Sequence, residues 1–227
     1  MSTNYNILLR SEKQLKKLII EYLDLVYKIH TKFWKELNGI EKENYGTVLD
    51  NTERRIKQAF LMEEELIDEC IWTISKDGPR ANHLRFIVSI IYCAKDLTRA
   101  SEYAQSIIKI VMRRNIDQNN LVPIQPIVDA YLALIAKIIK IYNSNHEDKI
   151  EKVDELTLEF ETQLDEQEAK LREEFKNDPN QITYLYVSQI IRFINSTIER
   201  IKSVFPSTLF IKSATTVISV DNKKAKK

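Results

Sequence analysis

Asp77-Gly78-Pro79-Arg80-Ala81-Asn82-His83-Leu84-Arg85-Phe86-Ile87 reads as a turn followed by the start of a helix. Further along the same helix, Ala94-Lys95-Asp96-Leu97-Thr98-Arg99-Ala100-Ser101-Glu102-Tyr103-Ala104 carries an acidic cluster. Pro79 suits a first helical turn, where its missing N–H would have no intrahelical partner anyway. A turn of similar make-up, Asn177-Asp178-Pro179-Asn180-Gln181-Ile182, recurs downstream and again opens a long apolar-patterned helix. Recurrence of one plan at a distance is the mark of an internal duplication.

Outward from that turn the chain reads as helices. Leu8, Leu15, Leu18, Ile19, Tyr22, Leu25, Val26, Ile29, Phe33 and Leu37 fall at spacings of three and four, the stripe of an amphipathic helix that ends near Asn38-Gly39. Gly39 to Asp50 reads as a surface connection. A second helix follows from about Asn51 to Ser75, with Ile56, Ala59, Phe60, Leu66, Ile67, Cys70, Ile71 and Ile74 inward. The third runs from Pro79 to about Arg114, with Leu84, Ile87, Val88, Ile91, Ala94, Leu97 and Ala104 as core. A polar break, Ile116 to Val122, marks the boundary between halves. The second unit repeats the plan in helices Pro123–Asn143, Lys149–Lys176 and Pro179–Phe205, with Pro206 as the stop. The middle one carries Val153, Leu156, Phe160, Leu164, Leu171 and Phe175; the last offers Leu185, Tyr186, Ile190, Phe193, Ile194, Ile198 and Ile201. The expected fold is all-α: two tandem three-helix bundles over 1–116 and 117–206, then an extension, 207–227. That extension is β-branched at Thr215 to Val220, reads as an extended arm, and ends in Lys223, Lys224, Lys226 and Lys227, for which two readings stand: a solubilising tail, or a contact for a membrane or phosphate.

Composition agrees with helices. Only three glycines and five prolines interrupt 227 residues, too few for a sheet with many tight turns. Net charge is +1, which gives no global case for nucleic acid. Between Glu147 and Asp178, 13 acids face 5 bases, so that stretch is locally acidic. Cys70 and Cys93 lack Cys-x-x-Cys spacing and read as buried packing residues. No run of 18 apolar residues and no signal-peptide pattern occurs, so the expectation is a cytoplasmic protein without membrane insertion.

The first turn and helix resemble PhoU, the phosphate-signalling family, in which Pro-Val-Ala-x-Asp-Leu-Arg precedes a helix bearing Asp-Leu-Glu-Arg-Ile-Gly-Asp-His. Pro79, Ala81, Leu84, Arg85, Asp96, Leu97 and Arg99 stand as that pattern has them. His83 and Thr98 replace carboxylates, and Glu102 replaces aspartate with its charge kept. The family's Glu-x-x-x-Asp pair thus becomes Thr98-x-x-x-Glu102; two carboxylates four apart share a helix face and can chelate a hard cation. Asp96, six residues from Glu102, lies on another face. In the second unit, matching Arg192-Phe193-Ile194 gives Asn195-x-x-x-Glu199, while ungapped counting from Asp178-Pro179 gives Ser196-x-x-x-Arg200. Glu63, in the crowded run Glu63-Glu64-Glu65, lines up with an acid the family carries on helix two. Two readings stand for Glu102, Glu199 and Glu63: worn ligands that hold a divalent or ferric ion weakly, or ordinary surface acids. Glu161, Asp165, Glu168 and Arg172 read as a surface ion-pair row. Arg85, Arg99 and Asp96 are expected to act structurally or toward a partner, the two arginines by pairing with acids on neighbouring helices.

Catalysis is not expected. His30, His83 and His146 have no shared ligand spacing, and neither a nucleophile turn nor a glycine-rich phosphate loop occurs. The resemblance implies an adaptor that restrains phosphate uptake by binding the ATPase of a phosphate ABC transporter, with a sensor kinase and a second copy of the chain as further partners. A PhoU-like partner of a phosphate permease, or a structural helical bundle unrelated to phosphate, are the alternatives.

Overall fold

The computed structural model describes residues 5–144, 148–176 and 181–209, with side chains for 7–144, 148–176 and 183–204. Helix α1, Tyr5–Leu37, forms where the stripe predicts it. Leu15, Ile19, Tyr22, Val26 and Phe33 are all inaccessible to solvent. It ends as Asn38 N–H bonds back to the Trp34 carbonyl and Gly39 takes a φ of +74°, a left-handed conformation that glycine enters without a steric penalty.

Helix α2, Tyr45–Asp77, starts earlier than expected, so much of the predicted surface connection is helical. The reason is Tyr45, which is buried and donates its hydroxyl to the Ile116 carbonyl at 3.1 Å. Gly78, at φ +55°, closes the helix with its N–H on the Ile74 carbonyl. Helix α3, Asn82–Arg113, then begins after Pro79 rather than at it, because Ala81 holds φ +48° and breaks the helical run.

The predicted polar break is itself ordered. Asp117 caps a one-turn helix, α4 (Gln118–Leu121), in a reciprocal capping box with Asn120. Gln118 donates to the carbonyls of Leu37 (2.7 Å) and Ile40 (3.2 Å) and accepts the Gly39 N–H, so it pins the end of α1. A 3-10 turn, Val122–Ile124, leads into α5 (Gln125–Asn143), followed by α6 (Lys149–Phe175) and α7 (Gln181–Leu209). α7 carries through Pro206, the expected stop. The single backbone bond a proline forfeits there is small beside the buried stripe Ile190, Ile194, Ile198, Ile201 and Val204. The predicted second turn, the C-terminal arm and the lysine tail fall largely outside the described residues.

Among the described residues the fold is all-α, two antiparallel three-helix units, α1–α3 and α5–α7. They share one contiguous hydrophobic core. α3 packs most extensively against α7 and α2. Arg114 stacks over Tyr186, while Asp96 bonds Arg200 at 2.6 Å and Ser203 at 2.8 Å. Those pairs make α3 and α7 antiparallel. Four predicted core residues are exposed instead: Phe60, Ile71, Leu84 and Val88, as is Leu185 of α7. Each apolar stripe is wider than the face its neighbours cover. Cys70 and Cys93 are buried as free thiols, and burial, reinforced by the neighbouring Glu69 and Cys93, pushes the Cys70 thiol up to about 12.

Candidate functional site

Glu63, Thr98 and Glu102 come together around Tyr22. α1 supplies Tyr22 from its fully buried stripe, α2 supplies Glu63, and α3 places Thr98 and Glu102 one turn apart on the face toward α2. Tyr22 Oη lies 2.5 Å from Thr98 Oγ1 and 2.7 Å from the Ala59 carbonyl oxygen. Thr98 in turn donates to the Glu63 carboxylate. Each hydroxyl has one proton, so the chain runs Tyr22 to Thr98 to Glu63, with the Ala59 carbonyl sharing the first proton. Burial pushes the Tyr22 hydroxyl well above its ordinary range, and the charges of Glu63 and Glu102 push the same way, against the Thr98 hydrogen bond. Both acids therefore act on one point. Tyr22 was not legible as a site residue, because only the fold brings it from 76 positions away.

The arginines depart from expectation. Arg99 pairs with Glu102 on its own helix at 3.0 Å, with its side chain 59% exposed, and among the described residues anchors α3 to no acid of a neighbouring helix. Residues three apart on a helix meet locally before either can reach another helix. Arg85 is exposed on the first turns of α3. The cross-helix tie belongs to Asp96 with Arg200 and Ser203 of α7. His83, which stands where the family has an acid, sets Nδ1 2.5 Å from the Glu12 carboxylate of α1.

The second unit is less closely joined. Glu199 is exposed on α7. Asp165, Glu168 and Arg172 face α7 across a cleft of about 670 Å³ also lined by Arg192, Asn195 and Ser196. Arg172 donates to the Tyr184 hydroxyl at 3.3 Å instead of completing a row along its own helix.

A hard cation wants several anionic oxygens free to turn toward it. Around Tyr22 there are two carboxylates, one accepting from Thr98 and the other from Arg99. No group of three or more His, Cys, Asp and Glu is placed to hold a metal among the described residues. The residues present do not fit the ion that the family pattern implies.

A second feature is an open apolar face. The bonds Thr98–Glu63 and Gln105–Glu53 fix α2 and α3 antiparallel, which sets Ile71 and Trp72 level with Val88. Leu84, Val88 and Tyr92 recur every four residues on the exposed side of α3, and Tyr92 is 66% exposed. Arg80, just before α3, and Arg85, Lys95 and Arg99 on it are exposed, as are Glu64, Glu65 and Asp68 on α2. One stretch, Gln118–Asn143, is long and apolar enough to cross a membrane by length and composition; Ile127, Val128, Tyr131, Leu134, Ile135 and Ile138 within it line the shared core.

These features define a duplicated helical bundle with its polar cluster and its open face in the first unit. The PhoU domain family matches residues 41–111, the stretch that bears the open face and the cluster's Glu63, Thr98 and Glu102. An uncharacterized protein of Mycoplasma genitalium is 41% identical over 118 residues, 48% of this chain and 48% of that protein. Its homolog in Mycoplasma pneumoniae is 39% identical over 117 residues, 48% of this chain and 49% of that protein. The aligned part thus spans about half the length of these curated relatives. Among solved structures, the phosphate transport system regulatory protein PhoU from Streptococcus pneumoniae superposes with a TM-score of 0.70 at 18% identity, covering 91% of this chain and 97% of that one. PhoU from Pseudomonas aeruginosa gives 0.69 at 15% identity, covering 92% and 98%. The chain is PhoU-like, in fold over its described length and by family match over residues 41–111.

Proposed function

We propose that this protein is a non-enzymatic PhoU-like regulator of phosphate uptake that docks on the ATPase of a phosphate ABC transporter and restrains it from the cytoplasmic side. The observation that supports this reading is the coincidence of the PhoU-domain match, residues 41–111, with the open face Ile71, Trp72, Leu84, Val88 and Tyr92. An exposed apolar strip rimmed by charge is the usual form of a protein-docking surface. Its exposed bases on the α3 side and exposed acids on the α2 side favour a partner element that carries the opposite charges beside an apolar stripe. A sensor kinase and a second copy of the chain are further partners within this reading, and we place the boundary between the two units at residue 116.

Co-purification of the full chain with the transporter ATPase tests it. Leu84→Glu and Tyr92→Glu should each weaken binding at least ~10-fold, the effect of ~1.4 kcal/mol at an interface, while thermal stability stays near wild type. Binding that survives both changes excludes this face. Absence of ATPase binding, with capture of a phosphate permease instead, moves the regulator to the permease.

A further inference from the structure

Three positions around the first unit share one pattern. Thr98, where the family motif has a carboxylate, donates to Glu63 of α2. His83, also where the motif has a carboxylate, places Nδ1 on Glu12 of α1, an acid only 3% exposed. Glu102, the acid that remains, accepts from Arg99 at 3.0 Å. Each of these acids thus has a protein donor. Two acids on adjacent helices repel unless a cation sits between them, whereas an acid facing a hydroxyl or an imidazole N–H is satisfied directly. Tyr22 completes the replacement, since its hydroxyl fills the space beside Thr98 and ties α1 to the same point.

We infer that direct donor-to-acid bonds, Tyr22–Thr98–Glu63 and His83–Glu12, hold α1, α2 and α3 together in place of a shared metal ion, so that this unit folds and is stable without metal. The raised Tyr22 hydroxyl agrees, because it keeps its proton and remains a donor at all physiological pH values. A buried network with every member satisfied rigidifies a core; one with a missing member is costly. The inference is independent of the phosphate reading, since its test reads metal content and stability and not uptake.

The test uses the full chain, stripped with EDTA and then titrated with manganese, zinc or ferric ion by calorimetry, with thermal unfolding followed in parallel. Wild type should show no stoichiometric binding, and its melting temperature should be the same with chelator as with metal. Thr98→Val should lower the melting temperature by about 3–6 °C, the shift a lost buried hydrogen bond produces in a chain of this size. Tyr22→Phe should lower it by a smaller amount, and it carries the test if Thr98→Val does not fold. Thr98→Glu should create a metal dependence absent from wild type: a lower melting temperature in EDTA, recovered by manganese. That recovery distinguishes a lost ligand from a packing defect. One metal per chain in wild type, removed by EDTA with loss of stability and abolished by Glu63→Gln or Glu102→Gln, would overturn the inference. So would Thr98→Val and Tyr22→Phe that both melt with wild type.

Discussion

In the first unit every pair of helices shares a polar bond. α1 meets α2 through Arg55–Glu36 and Ser11–Asp77, α2 meets α3 through Thr98–Glu63 and Gln105–Glu53, and α1 meets α3 through His83–Glu12. In the second unit, α6 meets α7 at its rim, through Arg172–Tyr184 and the half-exposed Lys202–Asp154 pair. A cleft of about 670 Å³ and a smaller one of about 200 Å³ flank Leu164 of α6 on either side. The middle helix of the first unit is thus tied by polar bonds along much of its length, whereas α6 is tied near its ends, by Lys149 to the Tyr142 carbonyl at 2.7 Å, Asp154 to Lys202 and Arg172 to Tyr184, with an apolar stripe that Gln167 interrupts between them. Apolar packing gives affinity without direction, so the central turns of α6 are less directionally fixed than those of α2.

The largest expected effect separates the two units by packing. Ile108→Ala, at a fully buried α3 position, should cost about 3–4 kcal/mol in denaturant unfolding, whereas Leu164→Ala should cost about 2, because a site beside open space relaxes into its cavity. Equal costs would erase the contrast. Amide hydrogen exchange sharpens it, with α6 exchanging faster than α2.

Next in size is a pH effect at the seam between the units. His30 is fully buried, bonds the Ala100 carbonyl at 2.9 Å and meets the Tyr131 ring edge-on at 5.6 Å. Desolvation lowers its pKa to about 4, against a partial counter-effect from the Ala100 bond. Below about pH 6.5 the unfolded chain binds a proton that the folded chain refuses until about pH 4. Stability from this group is therefore whole above pH 6.5 and falls with acidification, by up to about 3 kcal/mol. His30→Gln should flatten the slope between pH 6.5 and 4.5 relative to wild type; an unchanged slope would show that His30 takes up its proton in the folded state.

The smallest effects concern ion pairs. Asp96→Asn should cost about 0.5–1 kcal/mol, since Arg200 is 46% exposed and water screens the pair. Arg99→Ala should cost no more than about 0.5 kcal/mol, because Arg99 is largely exposed and its partner sits on the same helix. A loss above ~1 kcal/mol for Arg99 would mean it reaches another helix in solution, against its exposed geometry.

The α1 stripe was largely legible, because apolar residues at helical spacing have no competing arrangement that buries them, although Leu23 and Trp34 are buried outside the predicted set and Leu25 within it is only partly buried. α4 could have been read from Asp117-x-x-Asn120, a local capping pattern hidden by its polar neighbours. The early start of α2 could not, as Tyr45 is held by a carbonyl far along the chain. The candidate site was half visible. Glu63, Thr98 and Glu102 follow from motif positions, but the donor that fills the space between them, Tyr22, comes from another helix. Ile71, Leu84 and Val88 of the exposed face were misread as core for a related reason, since amphipathic spacing marks a stripe without saying how much of it a neighbour covers.

The packing of α3 against α7 has a consequence for synthesis. α3 is complete once Arg113 is made, yet the helix that covers it ends at Leu209. At about 5–20 residues per second, the ribosome leaves that apolar face uncovered for roughly 5–20 s. For that interval the nascent first half exposes the very surface by which the finished protein is locked together, and it is then a substrate for chaperones or for a second nascent chain.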